Sequence, residues 1–207
     1  MLIYASIMES VTRIEQSEAF AEELRRQRAF LEKNEVDLSQ WGIGNAKPLD
    51  SLIAEIFAGE CSLRAAEIDG SKMVIRQLKI ITANVFHASA NGTTFRLTEE
   101  CQEFNDGRVR QRPHIEESVA EKMKSNENPT DTVLRGVREE LSISINNTQV
   151  AFVDSTEKIR PSMSYPGIYN HINNYDFDVF LHDSQFNPDG YIEYRQDKIS
   201  YFAWEQI

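Results

Sequence analysis

The sequence predicts an α/β fold, and three features of the chain support this prediction. Residues 131–142 follow a helical pattern with one apolar side, a long β-branched segment covers residues 73–85, and the pair Asn91-Gly92 marks a hairpin. Helices that alternate with strands usually pack on the faces of one sheet. We therefore expect a mixed β-sheet sandwiched between helices, with a helical extension at the N-terminus.

The N-terminal part of the chain has the pattern of a helical extension. Residues 10–34 form a long helical pattern with an irregular apolar side and a densely charged surface. A connector rich in chain-breaking residues covers 35–48, and a second helix is predicted over 49–58. The long helix is either solvated and packed on the domain, as charged helices usually are, or an arm that binds a partner. We expect the extension to span residues 1–60 and a single domain to span residues 61–207.

Most of the remaining apolar residues belong to strand patterns. Two Asp-Gly pairs, at 106–107 and 189–190, mark tight turns between them. Strands are predicted over residues 73–85, 93–98, 149–154, 175–181, 191–195 and 199–204. These segments are sufficient for one sheet.

The helix over residues 131–142 has a start signal and a single apolar stripe. Pro129 interrupts the structure that precedes it, and Thr130 or Asp131 can cap its first turn. The stripe consists of Val133, Leu134, Val137 and Leu141. Glu139 and Glu140 lie off the stripe, so they are free for a polar role.

This segment resembles the Nudix hydrolase signature, G-x5-E-x7-R-E-U-x-E-E-x-G-U, in which U is aliphatic. The matching residues are Glu127, Arg135, Val137, Glu139, Glu140 and Ile143, all at the expected spacing. Three positions depart from the signature: Glu121 replaces the first Gly, Gly136 replaces the Glu after Arg, and Ser142 replaces the late Gly. The resemblance is to a divergent, uncharacterised subset of the family, and it implies a Nudix fold.

The resemblance implies metal chemistry on phosphates. Glutamates at i, i+3 and i+4 of a helix project to one side, and Mg²⁺ prefers carboxylate, water and phosphate oxygens. In this chain those positions are Gly136, Glu139 and Glu140, so one carboxylate is missing. Glu193 lies where the family often supplies a further acid, and it is the first candidate to compensate, with Glu121 the second. We therefore expect Glu139, Glu140 and Glu121 to hold Mg²⁺ or Mn²⁺, and Glu139, Glu140 and Glu193 to be catalytic.

Two further groups of residues are candidates for substrate binding. Arg108, Arg110 and Arg112 alternate, so a strand would place all three on one face, where they could bind phosphate oxygens. The same face could equally be a solvent face that offsets nearby acids. Tyr165 lies in an aromatic loop that could stack a nucleobase, although packing is the favoured reading for such a corner.

Composition narrows the class of partner and the compartment. The formal net charge of −11 argues against a general nucleic-acid binder or a binder of anionic membranes, because such partners attract a basic surface. Small phosphorylated substrates remain compatible with it through a divalent metal. Cys61 and Cys101 are far apart and lack metal-ligand spacing, which favours free thiols in a reducing cytoplasm.

The sequence thus predicts a cytoplasmic Nudix-type hydrolase that cleaves a diphosphate linkage in a nucleotide or nucleoside diphosphate derivative. Glu127 and Arg135 are expected to form a structural pair that ties the loop to the helix. The alternative is a catalytically weak or inactive module that binds a nucleotide or a protein without cleaving it, because Gly136 removes a motif acid. Dimers are common in the family that the sequence resembles, so the resemblance also implies a possible homodimer.

Overall fold

The computed structural model describes residues 2–68, 70–112 and 117–207, with backbone alone for residues 2–16 and 68. The helices are α1 (Leu2–Lys33), α2 (Leu49–Phe57) and α3 (Pro129–Leu141). The strands are β1 (Cys61–Ile68), β2 (Ser71–Ala88), β3 (Thr94–Phe104), β4 (Val109–Gln111), β5 (Val119–Lys122), β6 (Val150–Pro161), β7 (Tyr169–Leu181), β8 (Tyr191–Tyr194) and β9 (Lys198–Gln206). None of the described helices is both long enough and apolar enough to span a membrane.

The strands form a mixed sheet, which confirms the predicted α/β class. Its order is β6-β7-β2-β3-β9-β8, with β1 and β5 also paired to β2 and β4 to β3. The ladders of β2 with β1, β3 and β5, and of β9 with β3 and β8, are antiparallel. Contacts from β2 to β7 instead keep a constant offset of 94 residues, as in Thr82–Asp176 and Asn84–Asp178. A constant offset means that these two strands run parallel.

The chain divides into two compact units. The first contains residues 1–78 and 158–172, and the second contains residues 79–157 and 173–207. The first unit takes in the whole predicted extension together with β1. The boundary predicted after residue 60 stays a prediction.

The first unit has its own apolar core and a buried ion pair. Its core is formed by Leu31, Val36, Leu49, Leu52, Ile53, Val74, Tyr165 and Ile168. Glu55 of α2 and Arg76 of β2 are both buried and pair directly, and the Arg76 side chain also donates a hydrogen bond to Asn170 Oδ1 at 3.2 Å. A buried charge is tolerated when it is paired in this way.

The core of the second unit lies between α3 and the sheet. The predicted apolar stripe of α3 is confirmed for Val133, Val137 and Leu141, which are buried, whereas Leu134 is half-buried. They pack with Ile81, Ala83, Val85, Leu97, Val119, Phe177, Val179 and Phe202. This packing positions the polar residues of α3 relative to β3, β5 and β8.

Most predicted elements are confirmed, with corrections at their ends. The cap of α3 is Asn128, whose side chain accepts a hydrogen bond from the Asp131 N–H, so the predicted cap at Thr130 or Asp131 was wrong and the helix begins at Pro129. Pro suits the first helical position because its missing N–H has no partner there. Sequence patterns did not reveal β1 or β5, since β5 is only four residues long and β1 mixes charged with apolar residues.

Ser142, at the late Gly position of the signature, ends α3 in the left-handed region with φ 59° and ψ 26°. This conformation costs a residue with a side chain about 1–2 kcal/mol, and the entropy that Gly gains in the unfolded chain offsets part of this. We expect Ser142→Gly to raise the free energy of unfolding by about 0.5–1 kcal/mol in urea denaturation. Ser144→Gly is the control, because Ser144 has no positive φ and should lose stability. Equal effects of the two substitutions would contradict the expectation.

Candidate active site

The second unit contains a cavity of about 260 Å³ with acidic and basic residues in its wall. Its carboxylates come from β3, α3, β8 and the segment before β5, and its cations flank β4, β8 and β9. The lining residues are Thr82, Glu99, Gln102, Arg112, Glu117, Ser118, Ala120, Glu140, Glu193, Arg195 and Lys198. Four acids and three bases therefore share one small space.

Glu140 is the most perturbed residue of the cavity. Its side chain projects from α3, is 6% exposed, and has an Oε1 atom that receives no hydrogen bond within the described chain. The nearest cation is Arg195, whose Nη2 lies 3.5 Å from that oxygen. Burial raises the pKa of Glu140 to about 8, and the negative charge of Glu193 adds to the rise while Arg195 opposes it. The carboxylate is thus poised to take up a proton or another cation.

Glu193, an acid outside the signature, also lines the cavity beside Glu140. It stands on β8, opposite Ser200 of β9, and is 7% exposed. Its Oε1 accepts a hydrogen bond from Arg195 Nε. Arg195 therefore contacts both buried carboxylates and offsets part of their charge.

The structure separates Glu139 from Glu140. Glu139 is 50% exposed, and its Oε2 lies 3.1 Å from Arg135 Nη1. The Oε1 of Glu121, on β5, lies 3.3 Å from the same nitrogen. Glu121 is also near enough to Glu140 for its charge to raise the pKa of Glu140 further. Of the three predicted metal-binding acids, Glu140 lies in the cavity, while Glu121 and Glu139 meet at Arg135.

Glu127 and Arg135 form the structural pair predicted from the sequence. Arg135 Nε donates to Glu127 Oε1 at 2.7 Å, and Nη2 donates to Oε2 at 2.9 Å. Nη2 also donates to the carbonyl oxygen of Lys122 at 2.8 Å. Arg135 and, more weakly, the Lys124 N–H and Thr132 hold the pKa of Glu127 at about 2, against the effect of burial. This bidentate pair ties the loop before α3 to the helix and to the end of β5.

Gly136 lies where α3 approaches β5 most closely. A Cβ atom there would lie 3.0 Å from Val119 Cγ1 and 3.2 Å from Glu121 Cβ. The stem of Glu121 therefore occupies the space that a side chain at 136 would need. Two departures from the signature, Glu121 and Gly136, are thus complementary in packing.

The structure brings only one of the three predicted arginines into the cavity wall. Arg112 lines the cavity, and its Nε lies 3.0 Å from Glu99 Oε2. Arg108 is exposed and pairs with Asp106 at 2.7 Å. Arg110 is exposed and lies opposite Gln102, a cavity residue, across the β3–β4 ladder. Strand β4 is only three residues long, so the alternation does not give all three side chains the same environment.

Tyr165 belongs to the first unit and is fully buried. Its ring centroid lies 5.1 Å from that of Trp41, and the Arg76 guanidinium lies 5.1 Å from the Tyr165 ring. Trp41 in turn donates from Nε1 to the carbonyl oxygen of Pro166 at 2.8 Å. Because neither face of its ring is exposed, Tyr165 cannot stack on a nucleobase in this structure. Of the two roles considered from the sequence, it has the packing role.

Sequence reasoning missed Glu99, Arg195 and Lys198. Glu99 lies two residues after the buried Leu97 on β3, so both side chains point to the same, buried face of the sheet. A charged residue at such a position was the signal in the sequence that could have identified Glu99. Arg195 and Lys198 flank the turn between β8 and β9, where no pattern distinguishes them from solvent-exposed residues. Burial lowers the pKa of Lys198, and nearby acids oppose that shift.

The cavity fits a divalent cation in part. Within the described residues, no three acidic, His or Cys side chains already stand together as a set of metal ligands. However, Glu140 Oε1, which accepts no hydrogen bond from the described residues, and the adjacent Glu193 are oxygen ligands of the type that Mg²⁺ and Mn²⁺ prefer. An added cation would offset the repulsion that raises the Glu140 pKa.

Comparison with solved structures finds remote similarity to Nudix/MutT hydrolases. A MutT/nudix family protein from Enterococcus faecalis is 15% identical over 63% of this chain and 44% of its own, with a TM-score of 0.43. The Ap4A hydrolase of C. elegans is 11% identical over 62% and 80%, with a TM-score of 0.33. The Nudix hydrolase RenU from M. smegmatis is 11% identical over 70% and 79%, with a TM-score of 0.36.

This chain therefore spans less than half the length of the Enterococcus protein. All three TM-scores are below 0.5, so these likenesses indicate neither substrate nor activity. No family model and no curated protein matches the sequence.

The packing at Gly136 predicts that a larger residue destabilises the protein. Helix propensity alone would favour Gly136→Ala by about 1 kcal/mol. The Cβ would instead press on Val119, which is fully buried within a paired strand and cannot move away. We expect a net loss of about 1–3 kcal/mol in chemical denaturation. Adding Val119→Ala should make the Gly136→Ala change favourable, and the absence of such coupling would refute the packing argument.

The raised pKa of Glu140 predicts a pH-dependent stability. Below pH 4.5, the pKa of Glu140 in the unfolded chain, the carboxyl is protonated in both states and its burial costs no charge-related stability. As the pH rises from 4.5 through 8, the unfolded chain ionises first, and the free energy of unfolding falls. In metal-free protein with chelator, Glu140→Gln should therefore gain melting temperature relative to wild type between pH 5 and pH 9. Glu100→Gln, at an exposed position of β3, is the matched control and should show no such trend. A constant difference between wild type and Glu140→Gln across this range would contradict the raised pKa.

Proposed function

We propose that this protein is a metal-dependent Nudix-type hydrolase that cleaves a diphosphate linkage in a nucleotide or nucleoside diphosphate derivative. The observation that carries the proposal is the buried Glu140, whose Oε1 accepts no hydrogen bond from the described residues and lies 3.5 Å from Arg195 Nη2, in a cavity that also holds Glu193 and three basic side chains. The bidentate Glu127–Arg135 pair supports it, because it reproduces the part of the signature that orders the loop.

Glu140 and Glu193 would hold Mg²⁺ or Mn²⁺, with Glu121 the next nearest acid. When bound, such an ion neutralises phosphate charge and lowers the pKa of a bound water. Glu139, whose carboxylate lies at Arg135, would contribute only after leaving that partner. Glu121 is the acid whose stem fills the space above Gly136, so it is the natural replacement for the missing motif carboxylate.

The remaining charged residues of the cavity would bind the substrate and hold a proton. Arg112 and Lys198 present positive charge to phosphate oxygens from the side of β4 and β9. Arg195 balances Glu140 and Glu193 before the substrate arrives. One of these two carboxylates can accept the proton of the attacking water.

The second candidate function is a module that binds a nucleotide or a protein without cleaving it. A specific observation favours it: Arg195 already pairs with both buried acids, so these acids have a counter-ion without any metal. Position 136 also lacks the motif acid. Under this function, nucleotide binding would not depend on divalent ions.

The deciding measurement is chromatographic detection of the phosphorylated products (nucleoside monophosphates, pyrophosphate or sugar phosphates) released from nucleoside triphosphates, nucleotide sugars and dinucleoside polyphosphates, with Mg²⁺ and with Mn²⁺. We expect metal-dependent release, and Glu140→Gln should lower kcat/KM by at least about 100-fold because it removes a carboxylate from the metal site. Glu100→Gln removes one charge from an exposed position of the same sheet and should leave kcat/KM within about two-fold of wild type.

Folded protein that releases such products from none of these compounds would overturn the hydrolase. Metal-independent nucleotide binding by the same protein would establish the binding module.

A further inference from the structure

Strands β2 and β7 carry a row of side-chain pairs that begins at the cavity. Because the two strands are parallel with a constant offset, Thr82 faces Asp176, Asn84 faces Asp178 and Phe86 faces Phe180. These positions alternate with the buried residues of β2, so all three pairs lie on the sheet face opposite the α3 core. Thr82 also lines the cavity, which makes the row continuous with it. We call this row the ladder.

The first two pairs of the ladder offer hydrogen-bond acceptors at one edge. The Thr82 hydroxyl and Asn174 Nδ2 both donate to Asp176 Oδ1, and Asn84 Nδ2 donates to Asp178 Oδ1 at 3.3 Å. Neither Asp176 Oδ2 nor Asp178 Oδ2 receives a hydrogen bond from the described residues. The Oδ1 atom of Asn174 is buried and also lacks a partner in the described structure. The ladder therefore has ordered carboxylates with acceptor capacity to spare.

The third pair offers an aromatic surface. The rings of Phe86 and Phe180 are stacked, with centroids 5.8 Å apart and planes at 24°. Phe180 is 51% exposed, so part of its ring is available to a ligand. From Thr82 to Phe86 the strand advances four residues, or about 13 Å.

We infer that the ladder binds the nucleoside part of the substrate, with the ribose hydroxyls on Asp176 and Asp178 and the base on Phe180. Ribose hydroxyls are neutral donors that suit unpaired carboxylate oxygens, and every base can stack on an aromatic ring. Two carboxylates repel phosphate groups, so the phosphates are directed to the cavity end, where Arg112 and Lys198 lie. This inference rests on the proposed function for the chemistry at the cavity end.

The test is calorimetric binding of ribo- and deoxyribonucleoside 5′-monophosphates of all four bases to the full chain, with tripolyphosphate as a probe that lacks a nucleoside. Phe180→Ala should weaken binding of the tightest nucleotide by about 5- to 150-fold, the range of base–aromatic stacking, and leave tripolyphosphate binding unchanged. Phe152→Ala is the matched control: Phe152 is 58% exposed in the same unit but contacts Phe177, which lies on the core face. Phe180→Leu removes the aromatic ring but keeps an apolar contact with Phe86, so it separates a loss of stacking from a folding defect.

The ribose contact has its own variant. Asp178→Asn should weaken ribonucleotide binding and narrow the preference for ribo- over deoxyribonucleotides. Asp154→Asn, at an exposed aspartate on β6, should leave that preference unchanged. These readouts do not require hydrolysis, so the Glu140→Gln protein can be used for them.

The outcomes separate this inference from the proposed function. If the wild-type protein hydrolyses a nucleotide but the Phe180 and Asp178 variants bind nucleotides as tightly as wild type, the ladder is not the nucleoside site, and the proposed hydrolase function stands. Ladder-dependent binding without hydrolysis of any compound would keep the ladder and overturn the hydrolase. Folded protein that neither binds nor hydrolyses a nucleotide would overturn both.

Discussion

The close packing of α3 on β5 determines where the two acids of α3, Glu139 and Glu140, point. A Cβ at Gly136 would lie 3.0 Å from Val119 Cγ1 and 3.2 Å from Glu121 Cβ, so a side chain there would have to displace these neighbours. That contact sets the rotation of the helix. One turn later, Glu140 points in the same general direction and enters the cavity. Glu139 is rotated by about 100° from it and reaches Arg135 at the surface instead.

Arg135 is the polar counterpart of that packing. Its guanidinium contacts Glu127 from the loop, Glu121 from β5 and Glu139 from its own helix. A planar group with five donors can serve three such partners at once, which a lysine cannot. The loop before α3 has little apolar burial of its own, so this network supplies its order. Glu121 consequently has two roles, as a partner of Arg135 and as the side chain that requires Gly at 136.

Local features of the site could be predicted from the sequence, and long-range ones could not. The resemblance to the signature predicted that Glu127 pairs with Arg135, and the structure shows this pair, which is set within one loop and one helix. The role of Glu140 as a site acid stays a prediction, and its side chain lines the cavity. The separation of Glu139 from Glu140 depends on helix rotation against β5, a strand too short to show a pattern.

The same limit explains the substrate-binding candidates. Alternation predicted one shared face for Arg108, Arg110 and Arg112, but of the three Arg112 alone lines the cavity, because the end of β4 brings it to Glu99. Tyr165 is buried by Trp41, which lies more than a hundred residues earlier, and no local pattern records that contact. The presence of a sheet between helices could be predicted from the sequence. The parallel pairing of β2 with β7 could not, because these strands are far apart in the chain and no local pattern fixes their register.

The distribution of charge gives the proposed site a direction. The cavity combines buried acids with Arg112, Arg195 and Lys198, whereas the ladder presents Asp176 and Asp178 beside neutral residues. With a divalent cation in the cavity, a phosphate group would be attracted at the first end and repelled along the second, so a ligand with one charged and one neutral end would have a single favourable orientation. Burial makes an unbalanced charge on Glu140 unfavourable, and a free phosphate beside it would add to that cost. A cation and a phosphate entering together leave the cavity closer to neutrality than either does alone. On the proposed function, the metal and the substrate therefore favour each other's binding through charge balance, without any movement of the fold.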